Sequence, residues 1–290
     1  MAGILWLASY PKSGNTWLRA FLHNLMRNAQ APIEPNRLNE LTLGDGMARF
    51  FAPHAGGRAT VDMAPEEIAA LRARVQRDLA ATSADTVLVK THNWLGLDHG
   101  HPCIDMSVTS GAIYVVRNPL DVAPSLADHF GLTLDQAIAQ MADAEARTLN
   151  LKHRVPDVMS SWSNHVRSWT AQRNPRLHVM RYEDMLERPL PTFTQLTRFL
   201  GLAVPADRIE RAIRFSSFDT LRSLEKRQGF VERSSHSQAF FRQGEAGAWR
   251  KILTPQQVQR LCADHREQMQ AFGYWPLAPA DRARFAINKS

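Results

Sequence analysis

The chain is predicted to fold as an α/β protein, a mostly parallel central sheet flanked by helices. Three observations predict it. Ile4 to Ser9 is a continuous apolar run, the pattern of a strand buried on both faces. Two more short, β-branched runs follow, Thr86-Val87-Leu88-Val89 and Ala112-Ile113-Tyr114-Val115-Val116. Segments with helical spacing of apolar residues lie between and after them, and such alternation builds parallel sheets.

After the first strand comes a turn of Pro11, Lys12, Ser13 and Gly14. An amphipathic helix follows, with Trp17, Phe21 and Leu25 on one face and Arg19 and Asn24 turned elsewhere. Residues 30–62 lose periodicity and gather Pro, Gly and Asn, so they read as a long loop or mobile lid. Ile68, Leu71, Val75 and Leu79 mark a helix opened by Pro65. Arg117-Asn118-Pro119-Leu120-Asp121 reads as a strand-to-helix junction, and helical patterns fill much of 119–173. Leu177-His178-Val179-Met180 is a weaker strand candidate. Phe193, Leu196, Phe199 and Leu200 form one later helical face; Val258, Leu261, His265, Met269 and Phe272 form another. Between these two, 226–250 is polar, basic and glycine-bearing, a second expected mobile loop. With no repeat or linker, residues 1–290 read as one domain with its core at about 4–275.

Composition narrows the function classes. With 44% hydrophobic and 22% charged residues, the 290-residue chain reads as an ordinary globular protein. Lys plus Arg exceed Asp plus Glu by 35 − 28 = 7, which suits an anionic partner. No basic stripe with interleaved aromatics is present, so nucleic acid is not expected. Cys103 and Cys262 are the two thiols, too few for a disulfide scaffold. The apolar stretch from Ala2 to Ala8 is too short for a membrane span and lacks the basic start of a signal peptide. The expectation is a cytoplasmic protein without a transmembrane segment.

The turn after the first strand carries the strongest chemical signal. A helix N-terminus offers unpaired N–H groups and partial positive charge. Gly14 lets the backbone close around an anion, Lys12 adds a full charge, and Ser13, Asn15 and Thr16 add polar contacts. It is not a Walker A loop, because the lysine precedes the glycine. On mechanics alone, an anion site competes with an ordinary strand-to-helix turn.

Tyr10-Pro11-Lys12-Ser13-Gly14-Asn15-Thr16-Trp17 closely resembles the 5′-phosphosulfate loop of the cytosolic-type sulfotransferases, which use 3′-phosphoadenosine 5′-phosphosulfate (PAPS). Further segments resemble that family in order. Lys90-Thr91-His92 is similar to the segment bearing the catalytic base. Arg117 and Ser125 match the pair on the 3′-phosphate, and Tyr182, in Arg-Tyr-Glu-Asp, a tyrosine at the nucleotide. Ser216-Ser217-Phe218-Asp219 resembles the segment flanking adenine, and Arg242-Gln243-Gly244 the clamp on the 3′-phosphate. The resemblance implies a P-loop nucleoside-triphosphatase-like three-layer sandwich. It also implies sulfuryl transfer from PAPS, without a metal, to a hydroxyl, less readily an amine, of a small-molecule, lipid or sugar acceptor. Lys12 would stabilise the leaving group, Lys90 would lie beside it, and His92 would be the base. Trp17 reads by spacing as a helix core residue; the resemblance implies that it stacks on adenine with Phe218.

The chain departs from the family pattern at Gln243, where lysine is usual, so weaker donor binding is expected, offset by Arg242 and by Arg250 or Lys251. Gly244-Glu245-Ala246-Gly247-Ala248-Trp249-Arg250 lacks the usual acidic residue. The short dimer motif is degenerate at Arg250, Thr254, Pro255 and Gln259, which leaves a dimer open but not by that route. These departures keep a non-catalytic PAPS-binding scaffold as the alternative; a P-loop kinase is the third. Asp98-His99-Gly100-His101-Pro102-Cys103 has metal-ligand residue types but no paired distant ligands, and reads as a polar loop near the acceptor. Asp121 and Asp128 read as helix-surface carboxylates. For Phe50, Phe51, Trp94, His129 and Phe130, an acceptor pocket competes with core packing.

Overall fold

A computed structural model describes residues 3–287. Along the chain lie β1 (Ile4–Ser9), α1 (Asn15–Met26), β2 (Thr42–Gly44), α2 (Ala48–Phe51), α3 (Pro65–Ala80), β3 (Val87–Thr91), β4 (Leu97–Asp98), β5 (His101–Pro102) and β6 (Thr109–Val116). Then come α4 (Pro119–Phe130), α5 (Leu134–Ala142), α6 (Trp162–Thr170), β7 (Leu177–Arg181), α7 (Tyr182–Glu187), α8 (Pro189–Phe199), α9 (Ala206–Phe215), α10 (Phe218–Gln228), α11 (Pro255–Ala271) and α12 (Pro279–Arg284). The chain forms two compact units. The first comprises the chain up to Tyr10, Asn39–Val115 and Asp143–Val179; the second comprises Pro11–Leu38, Val116–Ala142 and the chain from Met180 onward.

The first unit is built on a five-stranded sheet of order β2-β3-β1-β6-β7. β1 pairs in parallel with β3 and β6, and β2 in parallel with β3. Ile4, Trp6, Leu7, Val89, Ile113 and Val115 have no exposed surface, which explains the unbroken apolar runs. Ala8 registers with Thr91 and Ser9 with Val115, so β1, β3 and β6 finish at one end of the sheet. Helix α3 starts at Pro65 as expected and buries Ile68, Val75 and Leu79. The Asp98–Cys103 segment is a two-residue hairpin joining β4 and β5. His99 and Gly100 turn it at φ 46° and 79°, the left-handed pair that such a hairpin requires. Among the described residues no cluster of His, Cys, Asp or Glu could hold a metal ion.

The second unit is helical. Helix α4 starts with Pro119 in its first turn and with the Asn118 side chain accepting from the Leu120 amide, and stops at Gly131 in the left-handed conformation. Phe21 of α1 stacks on Phe193 of α8 with ring centroids 3.9 Å apart. Ala20, Leu38, Leu221, Phe230 and Phe241 form a cluster against which Trp17, Phe218 and Phe240 pack. Among the described residues no helix is long and apolar enough to cross a membrane.

Several expectations are corrected. The stretch 30–62 is not a featureless loop: it holds a 3₁₀ turn at Pro35–Glu40, β2 and α2, all too short to show a period. The stretch 226–250 is less polar in structure than in composition, because α10 runs to Gln228 and Phe230 and Phe241 are buried. Arg19 and Asn24, expected to turn away from the apolar face, are both buried. Arg19 is 1% exposed and pairs with Glu232 at 2.7 Å; Asn24 is buried and donates to the Ala20 carbonyl. Asp121 is no surface carboxylate: it is buried and accepts from the amides of Gly247 at 2.7 Å and Trp249 at 3.1 Å. It thereby anchors the segment that departs from the family pattern.

Candidate functional site

The second unit gathers the residues expected at a nucleotide. Lys12 and Gly14 both lie in the left-handed region, at φ 68° and 106°, and this pair turns the chain into α1. Gly14 is required on two counts. A side chain there would be strained, and its Cβ would lie 2.7 Å from the Tyr182 ring. Arg117 braces the same loop, donating from Nη1 to the Lys12 carbonyl at 3.0 Å while its guanidinium lies 4.2 Å from the Tyr182 ring centroid. Tyr182 is itself buried, and Trp17 meets it edge-on at 5.6 Å. The Lys12 ammonium sits over Phe240, 4.1 Å from the ring centroid.

Whether an anion fits this loop is answered by its buried polar atoms. The Ser13 hydroxyl is enclosed without a hydrogen-bond partner, and so are Nε of Arg117 and Nε1 of Trp17. Buried donors are rarely left unmatched, and these three belong to residues that the sequence resemblance places at a nucleotide. Asn15 and Thr16 are buried in the first turn of α1, whose N-terminus adds partial positive charge. Together with the Arg117 fork they make a fitting seat for phosphate.

The remaining expected contacts are distributed unevenly. Ser125 is half-buried on α4. Arg242 pairs with Asp128 at 3.2 Å, and Asp128 also accepts from Ser237 Oγ at 2.6 Å. Gln243 is exposed. Gly244, at φ 64°, lets the chain pass directly against the Phe218 ring, which a Cβ would overlap at 2.2 Å. The Ser216 hydroxyl is turned into the protein, donating to the Ala212 carbonyl at 2.8 Å. Arg250, expected to offset Gln243, holds Asp281 through two bonds of 2.7 Å.

The first unit holds the expected base. His92 follows β3 directly, and its Nδ1 lies 2.8 Å from the Ser9 carbonyl oxygen. A carbonyl only accepts, so Nδ1 carries the proton and Nε2 keeps its lone pair. His165 Nε2 donates to the His92 carbonyl at 3.2 Å, and its own Nδ1 accepts from Tyr114 Oη at 2.8 Å. Desolvation, and then the charge of Lys90, push His92 down to about 3, against a smaller opposing pull from Asp157. The ring is therefore neutral throughout the physiological range.

Sequence reasoning missed four further residues. In the second unit, Glu183 accepts from the Asn118 amide at 3.0 Å and from Tyr274 Oη at 2.7 Å, holding the residue next to Arg117. Its place beside Tyr182 was a signal available in the sequence. In the first unit, Asp45 accepts from Thr91 and Asn93, and Arg154 pairs with Asp157 at 2.5 Å. Those three lie in stretches without a period, where nothing marked them.

The description "Sulfotransferase domain" matches residues 4–273. Cytosolic sulfotransferase 16 of Arabidopsis thaliana is 27% identical over 272 residues, covering 88% of this chain and 72% of that protein. Sulfotransferase 1A1 of Canis lupus familiaris is 26% identical over 277 residues, covering 93% and 84%. Among solved structures, mouse SULT7A1 complexed with PAP superposes with a TM-score of 0.60 at 20% identity, over 93% of this chain and 84% of that one. Retinol dehydratase in a complex with retinol and PAP gives 0.63 at 17%, over 92% and 81%. The fold is thus that of the sulfotransferases, and a domain match over nearly the whole length leaves one assignment: this chain belongs to the sulfotransferase family.

Proposed function

We propose that the protein transfers a sulfuryl group from PAPS to a hydroxyl of a small-molecule, lipid or sugar acceptor. The donor supplies an activated sulfuryl group whose leaving oxygen gains negative charge. Lys12, the Ser13 hydroxyl and the start of α1 would hold the 5′-phosphate side, and Lys12 would stabilise the charge that develops there. Arg117, Ser125 and Arg242 would hold the 3′-phosphate, and Trp17, Tyr182 and Phe218 the adenine. His92 would take the acceptor's hydroxyl proton at Nε2 as the new S–O bond forms and the old one to phosphate breaks. Lys90 adds positive charge on the same strand end.

The observation that carries this reading is the His92 tautomer. The Ser9 carbonyl fixes the proton on Nδ1, which leaves the Nε2 lone pair as the acceptor that proton abstraction needs. Solved relatives bound to retinol or to androsterone make lipophilic alcohols the first acceptors to screen. The test is transfer of labelled sulfate from PAPS by the wild type and by His92→Ala. The variant is expected to lose about 10²–10⁴ in turnover, the usual share of a general base, with PAP binding kept. Equal turnover in both proteins would remove His92 from the mechanism, and PAP binding without transfer to any acceptor would favour the scaffold.

A further inference from the structure

His92 is flanked by two residues whose side chains converge on one carboxylate. Asp45 Oδ2 accepts from Thr91 Oγ1 at 2.7 Å and from Asn93 Nδ2 at 2.9 Å, and the Asp45 amide donates to the Lys90 carbonyl at 3.2 Å. One residue therefore grips positions 90, 91 and 93. Asn93 is locked further. Its amide donates to Thr91 Oγ1 at 3.0 Å, its Oδ1 accepts from the Val158 amide at 2.7 Å, and its carbonyl accepts from Trp169 Nε1 at 3.2 Å. Strand pairing does not require this bracket, because β3 is already bonded to β1 on one side and β2 on the other. Asp45 is 3% exposed, and burying a carboxylate is costly unless its bonds return something. What they return here is a fixed backbone on both sides of one imidazole.

We propose that Asp45 is a positioning residue for His92, acting through Thr91 and Asn93 to aim Nε2 at the acceptor hydroxyl. This rests on the sulfuryl-transfer reading above. Burial, and then the neighbouring Asp157, push the Asp45 carboxyl up to about 6, against Thr91, Arg72 and Arg154, which pull it down. Burial alone would raise Asp157 as well, but Arg154 and Lys90 hold it below the usual carboxylate range. The proton that enters the bracket on acidification therefore goes to Asp45. A protonated carboxyl accepts these two bonds less well, so the bracket loosens as pH falls through about 6. The acid limb of turnover then belongs to Asp45, since His92 itself takes a proton only near 3.

The experiment uses wild type, Asp45→Asn and Thr91→Val, with PAP affinity measured by calorimetry. Misplacing a reacting group by about 1 Å can cost 10²-fold, so Asp45→Asn is expected to lose about 10- to 100-fold in kcat, with PAP affinity unchanged within about twofold and the acid limb near pH 6 gone. Thr91→Val, which leaves Asp45 its bond from Asn93 but removes those from and to Thr91 Oγ1, is expected to lose less and to keep the limb. A second readout needs neither donor nor acceptor. The His92 ring resonance of the free protein shifts between pH 5 and 7 in the wild type and stays flat in Asp45→Asn. Wild-type kcat, an unchanged limb or reduced PAP binding in folded Asp45→Asn would overturn the proposal, as would a flat wild-type resonance. Should Asp45→Asn not fold, wild-type kcat in Thr91→Val would overturn it. Absence of transfer by the wild type is a separate outcome, which sinks the sulfuryl-transfer reading while the resonance still tests the bracket.

Discussion

Arg117 donates from Nη1 to the main-chain carbonyl of Lys12 at 3.0 Å, so a residue expected on the 3′-phosphate also braces the loop expected on the 5′-phosphate. Lys12 sits at φ 68°, a conformation that a residue with a side chain holds only when its surroundings insist on it. Arg117→Ala removes the brace together with a charge. Charge-assisted hydrogen bonds contribute about 1.5–3 kcal/mol, so PAP affinity is expected to fall about 10- to 100-fold. Arg117→Lys restores the charge without the planar fork and is expected to recover only part of that loss. Titration calorimetry decides, and wild-type affinity in Arg117→Ala would separate the brace from the nucleotide.

Gly14 and Tyr182 form the second coupled pair. A methyl group at residue 14 meets the Tyr182 ring at 2.7 Å and must also adopt φ 106°. Gly14→Ala is expected to cost about 1–3 kcal/mol of stability from backbone strain alone, and to weaken PAP binding as the loop opens. Thermal unfolding with and without PAP checks both effects. An unchanged melting temperature would mean that the turn relaxes freely and does not hold the loop.

Much of this was legible in the sequence because strands and phosphate loops are local. Ile4–Ser9 and Thr109–Val116 announce themselves by apolar runs, and Gly14 announces a turn. Longer-range chemistry was not legible. Asp121 and Arg19 occupy ordinary surface-like positions of an amphipathic helix, yet one is buried on two backbone amides and the other on Glu232. Their partners lie more than a hundred residues away, and no periodicity encodes such a pairing. Asp45 escaped for a related reason: it follows a three-residue strand, far too short to show a face.

Gln243 offers a gain-of-function test. It is exposed at the position where lysine is usual, and a neutral hydrogen bond to phosphate is worth about half a charged one. Gln243→Lys is expected to tighten PAP binding by about 3- to 10-fold at low salt, a gain that shrinks as salt screens an exposed charge. Calorimetry at two ionic strengths is sufficient. No gain at low salt would place residue 243 away from the 3′-phosphate.

His265 lets the acid stability of the helical unit be tested apart from the chemistry. It is 1% exposed on α11, and burial pushes its pKa down to about 4. Unfolding restores an ordinary imidazole with a pKa near 6.5, so between about 4 and 6.5 the unfolded chain binds a proton that the folded one refuses. Stability contributed by the neutral ring is therefore complete above 6.5 and is lost as pH falls, at up to about 1.4 kcal/mol per pH unit. His165, pushed down to about 4, and His92 act with the same sign in the sheet unit, against Asp45, whose raised pKa acts with the opposite sign. His265→Gln removes one of these protons. Its unfolding free energy, followed in urea at pH 7, 6 and 5, is expected to fall less steeply than that of the wild type. Parallel slopes would show that the ring is protonated inside the fold, against its burial.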